Sequence, residues 1–153
     1  IIIYSSYSLS LYSNLNIMTD RYLQQEESYY RLKTEYEKHG SLVIAYDFDN
    51  TVFDFHSVED TYPLMIELLQ NLKSINCYLI CFTSKEDIES VKDYLLENGI
   101  PFDGINENPP FFKSASPKIY YNALLDDRAG LIQTYNELKL LYEYTQLSYV
   151  RAL

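Results

Sequence analysis

Glycine and proline are scarce, at four and five residues in a chain of 153, which excludes a collagen-like or low-complexity chain. Positive charge is scarce too: 12 Lys and Arg stand against 22 Asp and Glu, a net charge of −10. A firm grip on nucleic acid or an anionic membrane relies on clustered positive charge, so neither is an expected partner. Small molecules, metal cations and other proteins remain. No stretch approaches 18 consecutive apolar residues, so no membrane-spanning helix is expected. Cysteine is limited to Cys77 and Cys81. Their even spacing on a strand puts both on one face as small buried side chains, which fits a reducing, cytoplasmic setting. Charge is absent from the first seventeen residues, IIIYSSYSLSLYSNLNI, which also lack the basic start and compact apolar block of a secretory signal. Residues 1–18 are expected to be a tail outside the fold, with Met18 as the natural start. Their Ile and Tyr content leaves an added strand or an oligomer contact as the alternative.

What is present has the makings of one core. A hydrophobic fraction of 47% and a length within the range of one domain point to a single unit over residues 19–153. The 17 tyrosines are scattered through helical patterns and read as amphipathic packing residues. Thr19 or Asp20 can cap a helix to about His39, supported by a Glu27–Arg31 pair and stopped by Gly40. Leu42–Tyr46 is an apolar run suited to a strand buried on both faces. A helix beginning near Glu59, with Pro63 in its first turn, carries Met65, Leu68, Leu72 and Ile75 on one face. Cys77–Phe82 reads as a second buried strand. Ser84 can cap the helix that carries Ile88, Val91 and Leu95 and ends at Gly99. Phe102–Ile105 and Tyr120–Leu125 read as two further strands, and Leu131, Tyr135, Leu138 and Leu141 mark a last helix. Strands alternating with helices predict an α/β fold with a doubly wound, Rossmann-like parallel sheet. In such sheets ligands sit beyond the carboxyl ends of the strands, where the strand order reverses.

The unusual residues fall at those ends. Strand one finishes in Asp47-Phe48-Asp49-Asn50-Thr51, strand two in Thr83-Ser84 and strand four in Asp126-Asp127, with Lys118 before it. Carboxylates converging from two strands raise one another's pKa and cost stability, so a cation is the expected resident, and oxygen ligands suit Mg²⁺. The spacing of Asp47 and Asp49 allows two roles: one carboxylate attacks phosphorus to form an acyl phosphate, and the other moves the protons of the leaving group and of water. Thr83, at the start of a helix, can hold a phosphate oxygen, and Lys118 can neutralise phosphoryl charge. Ser84 is a second candidate for the phosphate, set against its role as a cap.

The segment Asp47-Phe48-Asp49-Asn50-Thr51 resembles the DxDxT signature of haloacid dehalogenase-like phosphatases. The family's other motifs follow in order: an apolar strand ending in Thr83, a Lys before the fourth strand and an acidic pair after it. The resemblance spans about Leu42 to Leu141, and the wording at Thr83-Ser84 and Leu125-Asp126-Asp127 is similar to that of 5'-deoxyribonucleotidases. It implies that Asp47 is the nucleophile, Asp49 the general acid/base and Thr83 a phosphate ligand. It further implies that Asp126 binds Mg²⁺ with Asp47 and the main-chain carbonyl of Asp49, while Asp127 assists. Lys118 is the motif lysine, with Lys113 as its rival. Thr51 is read as tying down the turn, Asp54 as a hydrogen-bonding residue of the flap and His56 as solvated.

Neither insertion point can hold a cap domain, which leaves a single open HAD-like domain. Such a site suits a bulky substrate or closure by a neighbouring subunit of a homo-oligomer. The loop from Asn106 to Pro117 could form a small lid, with Phe111 and Phe112 stacking on a ring or plugging against the sheet. The expected function is a Mg²⁺-dependent phosphomonoester hydrolase acting on a small phosphorylated metabolite or nucleotide. The alternatives are a polynucleotide-end phosphatase, a phosphotransferase and a non-catalytic metal-binding module.

Overall fold

The computed structural model describes residues 21–24 and 26–151; the tail at residues 1–18 and the caps expected at Thr19 and Asp20 lie outside the described residues. After a 3₁₀ turn at Arg21–Leu23 the order is α1 (Glu27–His39), β1 (Val43–Asp47), α2 (Pro63–Ser74), β2 (Tyr78–Phe82), α3 (Ile88–Glu97), β3 (Gly104–Ile105), β4 (Ala123–Leu125) and α4 (Leu131–Arg151). The strands form one sheet in the order β3-β2-β1-β4, every pair parallel. The architecture is therefore α/β and Rossmann-like, as expected. The strand order reverses between β1 and β4, the outermost step of the winding.

The two faces of the sheet are covered unequally. Ile44, Tyr46, Leu79, Cys81, Ala123 and Leu125 face the main core, to which Leu32 of α1, Leu69 of α2, Leu95 of α3 and Leu138 of α4 all contribute. The alternate residues Val43, Ala45 and Ile80 form a smaller cluster covered by Ile119, Tyr121 and other partly buried side chains. Right-handed crossovers explain the difference: β1 to β2 to β3 runs one way across the sheet, so its helices share a face. The return to β4 runs the other way over the opposite face, and between β3 and β4 the chain forms no helix. Among the described residues no helix is long and apolar enough to cross a membrane.

Several boundaries differ from the expectations, each for a local reason. Helix α1 starts at Glu27, whose carboxylate pairs at 2.5 Å with Arg21 of the preceding turn. The four-residue pairs within α1 are Arg31–Glu35, at 3.3 Å, and Lys33–Glu37, at 4.0 Å, instead of Glu27–Arg31. Gly40 stops the helix as expected, in the left-handed conformation with its N–H donating to Tyr36 O at 2.7 Å. Helix α2 starts at Pro63, not near Glu59, because Glu59 (φ 69) and Tyr62 (φ 49) are left-handed while Pro63 is preorganised for a first turn. Asp87, not Ser84, caps α3: its carboxylate accepts the Ser90 N–H at 3.1 Å and the Ser90 hydroxyl at 2.6 Å.

The outer strands are shorter than their apolar runs because side chains stand in for backbone in the ladder. Asp103 donates its N–H to Leu79 O at 2.7 Å while its carboxylate accepts the Leu79 N–H at 2.8 Å, so β3 covers only Gly104 and Ile105. Asn122 does the same with Val43, at 2.7 Å in both directions, so β4 begins only at Ala123.

Candidate active site

Asp47 closes β1 in register with Phe82 at the close of β2, and Tyr46 pairs with Leu125, the last residue of β4. The next residues of β4's chain, Asp126 and Asp127, therefore emerge beside Asp47. One carboxylate oxygen from each of Asp47, Asp126 and Asp127 lies within 4.8 Å of the others. Burial pushes the half-buried Asp47 carboxyl up to about 6; the Phe48 N–H opposes the shift and the charges of Asp126, Asp127 and Asp49 add to it. Asp126 is fixed by its own turn, its carboxylate accepting the Arg128 N–H at 2.8 Å and its carbonyl the Ala129 N–H at 3.0 Å. The cluster is held at the point where the strand order reverses.

Asp49 stands apart from these three. After β1 the chain folds tightly on itself, with the Asn50 N–H bonded to Phe53 O at 2.8 Å and Asn50 left-handed at φ 57. Lys85 Nζ lies 3.0 Å from Asp49 Oδ1, an ion pair not aligned as a hydrogen bond, so this buried oxygen has no hydrogen-bond donor. The same ammonium lies 5.0 Å from the centre of the Phe53 ring, 5.2 Å from Phe55 and 5.7 Å from Phe48, so three rings share its charge with one carboxylate. Thr51 is fully buried and its hydroxyl has no partner, so it does not tie down the turn. Asp54 does: its Oδ2 accepts the Glu59 N–H at 2.7 Å and the Asp60 N–H at 3.3 Å. His56 is exposed, against Phe55.

Thr83 is 8% exposed, and Asn106 holds its backbone, accepting the Thr83 N–H at 2.9 Å and donating to its carbonyl at 2.6 Å. The Thr83 hydroxyl accepts the Lys85 N–H at 3.2 Å and keeps its proton for another acceptor. Thr83 does not open a helix, since α3 starts five residues later. Ser84 is exposed.

The structure brings together Asp47, Asp126 and Asp127, with Asp49 two residues along the chain, but Lys118 makes no ion pair with any of them. Its exposed side chain lines a separate cavity of about 320 Å³ with Phe112, Ser116 and Tyr120, and its rival Lys113 is exposed as well. The lid reading of the loop is corrected. Phe111 packs edge-on against Tyr78 at 5.5 Å, and Phe112 stacks on Tyr120 at 4.5 Å. Tyr78 begins β2, roughly 13 Å of extended chain from the end that carries the cluster. The apolar rings fold back over the sheet instead of over the acidic edge.

Lys85 is the site residue that the motif reading passes over. Its signal was its position, the first basic residue after the strand that ends in Thr83, but its contact with Asp49 depends on how the loop at 48–55 folds.

No family model matches this chain, and no curated protein matches it. Among solved structures, a conserved protein encoded by a locus of Bacteroides thetaiotaomicron superposes with a TM-score of 0.54 at 21% identity, covering 71% of this chain and 92% of that one. That likeness shows the fold alone.

The donor set suits a hard divalent cation. Three carboxylates offer only oxygen, none is paired with a cationic side chain, and the site lies half-buried at the sheet edge.

Proposed function

We propose that this chain is a Mg²⁺-dependent phosphomonoesterase of the haloacid dehalogenase type, acting on a small phosphorylated metabolite or nucleotide through an aspartyl-phosphate. The observation that carries the reading is the meeting of Asp47, Asp126 and Asp127 within 4.8 Å at the point where the strand order reverses, with a further carboxylate, Asp49, two residues along the chain from Asp47 and paired with Lys85. Mg²⁺ held by Asp47, Asp126 and Asp127 would neutralise a non-bridging phosphoryl oxygen and keep the carboxylates ionised together.

In this scheme an Asp47 oxygen attacks phosphorus and the bond to the ester oxygen breaks. Asp49 gives its proton to that departing oxygen, then takes one from the water that attacks the acyl phosphate, releasing inorganic phosphate and restoring Asp47. Thr83, with a hydroxyl proton to donate, binds a phosphoryl oxygen. Lys85 orients Asp49 and supplies the positive charge first assigned to Lys118. Two buried free thiols, pushed up to about 11 at Cys77 and about 12 at Cys81 by burial, support a reducing cytoplasmic setting.

Release of phosphate from a panel of phosphomonoesters tests the reading. Turnover is expected with Mg²⁺, is abolished by excess chelator and returns when Mg²⁺ is restored. Hydrolysis undiminished by chelator would remove the metal from the scheme, and no hydrolysis of any ester would favour the non-catalytic metal-binding module.

A further inference from the structure

Beside the acidic cluster a cavity of about 680 Å³ opens between the loop after β1 and the first turns of α2 and α4. Its walls are Pro63, Leu64 and Met65 on one side and Leu131, Ile132 and Tyr135 on the other. Asp127 belongs both to the cluster and to the cavity lining, and Thr51 of the loop lines it as well. A molecule that reaches the cluster with one end therefore meets the cavity with the other. The volume falls in the range of small-molecule sites, roughly 300–1,000 Å³, and far exceeds what a phosphate needs.

The lining decides what kind of molecule fits. No Lys, Arg or His is among the lining residues, and their one charge, Asp127, is negative. A second phosphate or a carboxylate would meet repulsion with no counter-charge, whereas hydrocarbon would meet hydrocarbon. Leu64 and Ile132 are 64% and 70% exposed, two large aliphatic side chains left wet on facing walls of one cavity. Isolated exposed leucines are ordinary, but a facing pair beside a polar site marks a surface that a ligand can dry. Asn50, Tyr62 and Tyr135 supply a few polar tips for an uncharged hydroxyl or ether.

We propose that this cavity receives the leaving group of the substrate and selects phosphomonoesters of uncharged, hydrocarbon-rich alcohols or phenols over nucleoside polyphosphates and sugar bisphosphates. The assignment rests on the phosphomonoesterase reading above, and the test separates the two.

The 153-residue chain with Mg²⁺ is assayed on n-hexyl phosphate and glycerol 3-phosphate, two alcohol esters of similar intrinsic reactivity, and its binding of uncharged 1-naphthol is followed by fluorescence. The expected result is at least a tenfold higher kcat/KM for the hexyl ester and saturable naphthol binding. Ile132→Asp and, independently, Leu64→Asp should lower that kcat/KM ratio at least tenfold and weaken naphthol binding, with melting curves checking that these exposed substitutions leave the fold intact. Turnover with equal kcat/KM for both esters, or a ratio that neither variant changes, overturns the cavity's role and leaves the phosphatase reading standing. Saturable naphthol binding without hydrolysis of any phosphomonoester overturns the phosphatase reading, and the leaving-group assignment falls with it.

Discussion

The sheet has two polar ends built from the same residue types, and they are treated differently. Where the strands begin, the carboxylate of Asp103 accepts the Leu79 N–H and pairs with the Lys73 ammonium. Asn122 exchanges two bonds with Val43, donates to Glu35 at 2.5 Å and receives the Arg31 guanidinium on its carbonyl at 3.0 Å. Where the strands finish, buried oxygens of Asp49, Thr51 and Asp54 lack hydrogen bonds and three carboxylates crowd together. Each buried polar atom left unpaired costs about 1–3 kcal/mol. The beginning end spends its polar groups on holding the sheet; the finishing end leaves them open to something that arrives.

That contrast breaks most easily at Asp47. Asp47→Asn removes the attacking oxygen and should lower kcat on the order of 10⁴-fold or more, the scale on which loss of a covalent nucleophile is felt. Intact mass after rapid quenching should show no phosphorylated protein; a phosphoryl increment on this variant would mean that another residue attacks. Asp49→Asn should be milder, about 10²–10⁴-fold, because only proton transfer is lost. With an ester whose leaving group needs no proton, Asp47 should still be phosphorylated and the adduct should accumulate, so its absence would count against the division of roles. At the other end, Asp103→Ala strands the buried Leu79 N–H and frees Lys73, and should cost about 1–3 kcal/mol in urea unfolding while leaving kcat/KM unchanged. Lost turnover in a folded Asp103→Ala protein would erase the distinction between the two ends.

The same contrast explains what was legible in the sequence. The buried strands were legible because runs such as Leu42–Tyr46 must be covered on both faces, and their ends located Asp47, Asp126 and Asp127. The outer strands were legible in place but not in length, because Asp103 and Asn122 use side chains where the ladder expects backbone, and composition shows no such exchange. Ser84 and Asp87 both carry cap chemistry, and the three-dimensional path after β2 decided for Asp87. Lys118 fitted by motif order, whereas the Lys85–Asp49 pair depends on a loop whose left-handed Asn50 gives no periodic signal. The cavity beside Asp127 was equally hidden, since its walls come from helix turns some 70 residues apart in the chain.

The smallest effect is the most direct measure of strain at the finishing end. Burial raises the Asp47 carboxyl from 3.8 to about 6, so the folded chain binds a proton there more tightly than the unfolded chain does. Stability from this group is therefore complete below about pH 4 and is lost as pH rises through about 6. Solvent reaches a carboxyl that is only half-buried, so the loss by pH 7 should be about 1–2 kcal/mol, less than the full shift would give. Asp87 runs the other way. Its hydrogen bonds to Ser90 hold its carboxyl below the usual range, so its contribution is lost as pH falls, and a single pH profile would mix the two. The difference between parent and Asp47→Asn isolates Asp47. With chelator present, urea midpoints from pH 4.5 to 7.5 should show the variant gaining on the parent as pH rises and exceeding it at pH 7, because the amide carries no charge to bury. Excess Mg²⁺ should reverse that order at pH 7, since the parent offers the cation three carboxylates and the variant two. Midpoints that run parallel across this range would show that Asp47 carries no buried charge, and an order unmoved by Mg²⁺ would show that the three aspartates do not share a cation.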